Sequence, residues 1–294
     1  MNIAIICPTM DETDAIRKVF PGPWTDASTK ARYLYSWSTL QVNDKTIRIA
    51  VFTLSGTTSG ITGFLDQCPD ALVIIAGSCV GNPATTEFGD LVVAEKVLPS
   101  AVNKIQWSLE LNLCNAIHYI NSTTFDPKVS RPISLESVQK SMLSALLKVG
   151  EDRITPGEWK QLCPDISEKF STYLKTLREG NYISCNPTNY HVSLTEKGHQ
   201  LLKTDQKDAS NQPRIHTGSM LSSYDADPSH WQQSDKLYGI AELSPIYMWI
   251  KQPTVIVTAV TSINDTSADS DWKLYSHQVL ASWVLKFVNS YSSL

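Results

Sequence analysis

Thr254–Trp272 reads TVIVTAVTSINDTSADSDW. Val255–Val260 is an apolar run, and it ends in a short polar loop that presents Asp265. A buried strand of an α/β sheet ends this way, with a carboxyl group held at its carboxyl end, where such sheets carry their sites. The plainer reading of Asp265 is a cap for the following turn or helix.

The rest of the chain is ordered around that strand. Asn2–Cys7 is a second continuous apolar run, bounded by Pro8, and Ala15, Ile16, Val19 and Phe20 then keep helical spacing up to Pro21. Strand, polar turn and helix open a doubly wound unit. Tyr33–Leu40 and Thr46–Leu54 read as β segments joined by a turn at Val42-Asn43-Asp44. Ser55–Gly60 is a small-residue loop entering a helix from about Ile61 to Gln67. Ala71–Ala76 is a buried strand, with Gly77–Pro83 as a second small-residue loop and Leu91–Val97 as the next strand. The region 99–132 has no clear pattern. Near the end, Ile215–Leu221 is apolar, Gly239–Ile250 begins as a helix-like run, and Trp272–Tyr291 is an amphipathic helix.

The middle of the chain differs in kind. Leu135–Val149 has apolar residues at helical spacing. Thr155-Pro156-Gly157-Glu158 carries a cap, a first-turn proline and a capping-box acid. Asp165–Glu179 reads as a third helix. Tyr182–Cys185 and Tyr190–Leu194 bracket a hairpin tip at Asn186–Asn189, and Thr195–Leu202 is a last short helix. Three helices and a hairpin give the winged helix-turn-helix pattern, with Thr204–Pro213 as a polar linker out of it. The expected division is therefore a discontinuous α/β domain, 1–132 and 213–294, interrupted by a winged-helix insert with its linker, 133–212.

Three separated stretches resemble one family. IAIICPTMDETDAI (3–16), ALVIIAGSCVGNPATTEFGDLVVAEKV (71–97) and INDTSAD (263–269) are similar, in order, to segments of the purine nucleoside phosphorylase and nucleosidase family, specifically its methylthioadenosine/S-adenosylhomocysteine nucleosidase branch. GIAELSPIY (239–247) is a weaker fourth match. The resemblance implies an α/β fold of three layers, a central mixed sheet flanked by helices, with the winged helix as an addition. It implies hydrolysis of the N-glycosidic bond of a purine nucleoside or nucleotide. Asp265 falls on the general acid for the leaving base, Glu12 on the carboxylate that polarises the water nucleophile, and Ser78 on a group that bonds that water or a bound anion. Glu242 falls on the ribose-binding acid, with Gly77, Ala241 and Asn264 lining the substrate. The chain departs from the family pattern at Val80, Ala241 and Asn264. Without the resemblance, Glu12 and Glu242 read as acids at helix starts and Ser78 as a turn residue.

Phosphorolysis needs arginines around the phosphate. Neither Pro8–Glu12 nor Gly77–Asp90 contains one, so water is the expected nucleophile. No cofactor or metal is expected, because the six cysteines are scattered without CxxC pairs or His/Cys clusters at metal spacing. The same cysteines point to a reducing, cytoplasmic compartment. The N-terminus has no basic leader, and no stretch reaches membrane length.

The formal charge of −4 offers no overall field for polyanions. Between Leu135 and Asp208, ten Lys and Arg are matched by ten Asp and Glu, so a protein partner is expected of the insert ahead of DNA. A homo-oligomer is implied by the resemblance alone. The alternative function is a nucleoside-sensing DNA-binding regulator with a non-catalytic ligand domain.

Overall fold

The computed structural model describes residues 2–29, 34–54, 59–99, 106–132, 135–203, 212–223, 228–233, 236–241, 246, 249–263 and 266–293. The chain divides into two compact units, Met1–Arg131 with Asn211–Leu294 and Pro132–Ser210. No described helix is long and apolar enough to cross a membrane.

In the first unit the elements run β1 (Asn2–Cys7), α1 (Met10–Val19), β2 (Thr25–Ser28), β3 (Leu34–Val42), β4 (Lys45–Thr53), α2 (Ser59–Leu65), β5 (Leu72–Gly81), β6 (Leu91–Leu98), β7 (Trp107–Ser108) and α3 (Leu111–Ser122). In the second unit they run α4 (Leu135–Val149), α5 (Pro156–Gln161), a 3-10 turn Pro164–Ile166, α6 (Phe170–Glu179), β8 (Ile183–Cys185), β9 (Val192–Leu194) and α7 (Glu196–Lys203). The first unit resumes with β10 (Ile215–Ser222), a 3-10 turn Pro228–Gln233, β11 (Leu237–Ala241), β12 (Thr254–Ile263), β13 (Thr266–Ser267) and the closing helix α8 (Ser270–Ser293).

The first unit is a mixed α/β fold whose sheet is covered by helices on both faces. Its strands alternate cleanly between the two. Ile3, Ile5, Ile74, Val255 and Val257 pack with α1, α3 and α8, while Ala4, Ile6, Val73, Ile75 and Ile256 pack with α2. Burial on both faces is why these strands read as continuous apolar runs.

β1 pairs parallel to both β4 and β5, and β5 pairs parallel to β12. β12 also pairs antiparallel to β6, which runs beside β10, then β11, which returns to β5. The strands β5, β12, β6, β10 and β11 therefore close into a ring, and β1, β4, β3 and β2 extend from it.

Two expectations are corrected here. Gly77–Gly81 is the second half of β5, not a loop, because Thr258, Ala259, Val260 and Ile263 on one side and Gly239 and Ile240 on the other pair with it. Gly239–Ala241 is strand β11, not a helix start, for the same reason. Gly77 and Gly81, which looked like loop composition, stand where the side chains of Pro8, Thr86 and Val260 come close. A Cβ on Gly81 would collide with the side chains of Thr86 and Val260. The patternless 99–132 region contains β7 and α3. The Ser55–Gly60 loop and the 204–213 linker lie largely outside the described residues.

The second unit has its own core of Val138, Met142, Leu143, Leu146, Trp159, Phe170, Leu177 and Val192. α5 starts with the expected capping box, in which the Thr155 hydroxyl accepts from Glu158 N and Glu158 accepts from Thr155 N at 2.7 Å. The expected Asp165–Glu179 helix is shorter, broken into the 3-10 turn and α6. β8 and β9 pair antiparallel as a hairpin.

Trp159 is fully buried, lies edge-on to Phe170 and donates from Nε1 to the Met142 carbonyl at 3.0 Å. Trp159→Ala should cost about 3–5 kcal/mol, from lost burial, a cavity and an unpaired carbonyl. In urea, monitored by circular dichroism on the full chain, this should appear as a helical transition moved to lower denaturant. An unchanged unfolding profile would refute it.

Candidate active site

The site forms where β5 exchanges one neighbour for another. Along one edge, Leu72–Ile75 pairs with β1. Beyond Cys7, β1 turns away at Pro8, and the same edge is taken by β11 at Val80 and Gly81. Strands that part leave a crevice at their carboxyl ends, the location at which α/β sheets bind ligands. Gly77 makes the turn possible, since a Cβ there would meet the Pro8 ring at 2.9 Å.

α1 begins in that crevice. Thr9 is its N-cap, and Glu12, three residues on, accepts from Thr9 N at 3.1 Å and from the Thr9 hydroxyl through Oε2. Glu12 is only 2% exposed. Its other oxygen is turned to the sheet, where the Ser78 hydroxyl donates to Oε1 at 2.8 Å. Thus Glu12 is both the helix-start acid and the partner of Ser78. The two readings of this residue are not exclusive, because a carboxylate has two oxygens to offer.

A residue that sequence reasoning missed completes the group. His277 lies on α8, and its Nε2 is 3.1 Å from Ser78 Oγ and 3.8 Å from Glu12 Oε1. Ser78 has one hydroxyl proton and gives it to Glu12. The His277 contact then requires Nε2–H to be the donor and Ser78 Oγ the acceptor, which fixes the tautomer. The order is His277 Nε2–H to Ser78, then Ser78 O–H to Glu12. His277 was not legible because it falls inside the buried stripe of an amphipathic helix. A single His on such a face carries no periodic signal.

Burial pushes the His277 pKa below its usual 6.5, with Lys273 adding to the effect while the charges of Glu12 and Asp11 oppose it. The folded protein therefore holds this imidazole neutral. Above pH 6.5 both folded and unfolded forms are neutral there, and no penalty arises. Below it the unfolded chain takes up a proton that the folded chain resists, so stability should fall as pH drops from 6.5 toward the folded value and level off beneath it. His277→Gln should remove that part of the pH slope in thermal unfolding measured between pH 5 and pH 8, limits chosen to span about one and a half units either side of the free imidazole value. An identical slope in the variant would show that His277 does not carry it.

Of the remaining expected residues, Ala241 ends β11 level with Ser222 of β10, and Ser223 N donates to its carbonyl at 3.2 Å. β11 is antiparallel to β5, so its carboxyl end runs back toward the level of Ser78. Glu242, Asn264 and Asp265 lie outside the described residues. The strand leading to the last two is described. Ala259 is level with Ser78 and Val260 with Cys79, and Ser262 and Ile263 pair antiparallel with Ser267 and Thr266. The structure therefore brings Glu12, Ser78 and Gly77 together, with β11 and β12 flanking them. A cavity of about 470 Å³ beside α1 is lined by Met10, Thr13, Phe52 and Thr53. A larger one near Lys18, Asp126 and Lys286 lies toward the other end of α1 and contains no residue of this group.

The first unit is thus a mixed sheet whose strands β5, β12, β6, β10 and β11 close into a ring, with a crevice at the carboxyl ends of β1 and β5. The sequence itself matches no family model and no curated protein. The structure is similar to solved ones. A Neisseria meningitidis 5′-methylthioadenosine/S-adenosylhomocysteine nucleosidase in complex with methylthio-immucillin-A superposes with a TM-score of 0.53 at 10% identity, over 98% of this chain and 99% of that one. The Streptococcus pneumoniae enzyme in complex with 8-aminoadenine gives 0.55 at 9% identity, over 99% and 100%. The Campylobacter jejuni enzyme gives 0.50 at 13%, over 98% and 99%. At these identities the likeness is one of fold.

Proposed function

We propose that the protein hydrolyses the N-glycosidic bond of a purine nucleoside or nucleotide. The observation that carries this reading is the Ser78 hydroxyl held between Glu12 and His277 in the crevice of a nucleosidase fold. The similar solved structures were obtained with a nucleoside analogue and a purine base, which supports the same ligand class here.

In this reaction water adds to C1′ of the sugar as the C1′–N9 bond breaks and its electron pair goes to the base. Glu12 takes the proton of the attacking water, and Asp265 gives a proton to N7 of the leaving base. Ser78 stays fixed as a donor to Glu12, so the carboxylate keeps one aimed lone pair for the water. His277 is a positioning residue that keeps Ser78 in that orientation. Glu242 accepts from the ribose hydroxyls, while Gly77, Ala241 and Asn264 shape the sugar and base surroundings. Water rather than phosphate is the nucleophile, since the Pro8–Glu12 and Gly77–Asp90 segments supply no arginine to hold a phosphate.

The second unit supports a winged-helix assignment by its element order, with α4, α5, α6 and the β8–β9 hairpin in sequence. Its balanced charge favours contact with a protein over contact with nucleic acid. The exposed Lys175 of α6, for example, faces Glu179 at 3.7 Å.

The test is a base-release screen of the full chain against adenine and guanine nucleosides and their phosphates, resolved by chromatography, with and without phosphate. Free base formed independently of phosphate is the expected result. Release only with phosphate would make it a phosphorylase. No release from any substrate, combined with nucleoside binding, would favour a sensing role.

A further inference from the structure

We infer that Glu95, Cys114 and His118 form a binding site for a borderline divalent cation of the Zn²⁺ type. The three come from two elements packed on each other. Glu95 is on β6, and Cys114 and His118 stand one turn apart on α3, so both project from one side of the helix. Leu113, Ala116, Ile117 and Ile120 bury the adjacent stripe of α3 against the core, and Leu109 N donates to the Glu95 carbonyl at 2.8 Å. The helix is thereby held at a fixed distance from Glu95.

The atoms converge on one point. His118 Nε2 is 3.1 Å and Cys114 Sγ 3.9 Å from Glu95 Oε1, and all three lie within 4.8 Å of one another. Tetrahedral Zn²⁺, with bonds of about 2.3 Å to S and about 2.0–2.2 Å to N and O, separates its O and N ligands by about 3.3 Å and its O and S ligands by about 3.6 Å. The O–N and O–S separations match that spacing to within a few tenths of an ångström, and the N and S atoms lie within 4.8 Å of each other. A set of one thiolate, one imidazole and one carboxylate suits Zn²⁺ or Co²⁺ and not Mg²⁺ or Ca²⁺, which take oxygen. The His118 side chain is 56% exposed and Glu95 30%, which leaves the fourth position to water. On binding, the Cys114 thiol loses its proton to solvent as the sulfur–metal bond forms.

The site is separate from the crevice. β6 is antiparallel to β12, with Leu91 level with Ala259 and hence with Ser78. Glu95 lies four residues further along, about 13 Å by strand rise. A cation there joins α3 to β6 at the far end of the ring and takes no part in the glycosidic chemistry.

Co²⁺ added to the metal-free full chain should give one equivalent of a tetrahedral visible spectrum with a near-ultraviolet sulfur-to-cobalt band, displaced by Zn²⁺. Cys114→Ser should abolish the band, and His118→Ala should weaken binding by about tenfold or more. Cys185→Ser, at the other half-buried cysteine, should leave the band unchanged. Because His118 is largely exposed, its variant should fold, which circular dichroism can check. Absence of a sulfur band, or a band that survives Cys114→Ser, overturns the proposal and leaves a surface His–Glu pair beside a thiol.

Discussion

Glu12→Gln should lower base release by about 10²–10⁴-fold, the range for losing a positioned proton acceptor. The loss should fall on turnover, with little change in unfolding temperature. Glutamine fits the same space and keeps the capping box, since its carbonyl oxygen accepts from Thr9 N as the carboxylate does. Its amide nitrogen would then face Ser78 and donate to it. Ser78 can answer by donating to His277, whose ring need only change tautomer. The hydrogen-bond chain reverses direction and stays complete, so the variant isolates chemistry from folding. A Gln variant that turns over at the wild-type rate would remove Glu12 from the reaction.

Asp265→Asn should cost a similar factor, but with a different signature. An amide cannot give a proton to N7, so the base must leave as an unprotonated anion. Substrates with bases that stabilise negative charge should therefore recover much of the lost rate in this variant and little of it in Glu12→Gln. Measuring kcat/KM for each variant across purine nucleosides of graded leaving ability separates the roles. Equal sensitivity to the leaving base in both variants would contradict the assignment of Asp265. This prediction comes from the INDTSAD segment and from β12, whose Ala259 and Val260 stand beside Ser78 and Cys79.

The strands that could be read from the sequence are those buried on both faces. Asn2–Cys7 appears at its expected bounds, and the apolar run Val255–Val260 forms the middle of the longer strand Thr254–Ile263, because short apolar runs buried on both faces leave little else to form. Gly77–Gly81 and Gly239–Ala241 were misread for one reason: composition reports what a residue is, not what lies beside it. Gly77 and Gly81 in β5 are there because Pro8, Thr86 and Val260 come close, and that is a property of the folded sheet. The same limit hid His277. Glu12 and Ser78 could be found through short motifs near the start of the chain and in β5. Their third partner lies 199 residues from Ser78, on the packing face of an amphipathic helix. The Glu95, Cys114 and His118 group escaped because two ligands belong to a stretch with no recognisable pattern and the third to a strand.

The ring of the first unit has a consequence for how the chain is made. β5 and β6 leave the ribosome long before β10, β11 and β12, and every residue of the second unit is synthesised between them. The nascent first unit must wait with two of its most apolar strands unsealed, whereas the second unit is contiguous and can fold as soon as it emerges. Ordering that intervening stretch early shortens the slack tether that β12 must later close, although loop entropy rewards this only logarithmically. Truncations that stop after the second unit therefore leave an aggregation-prone half-barrel upstream, and chaperone demand should be greatest in that interval of translation.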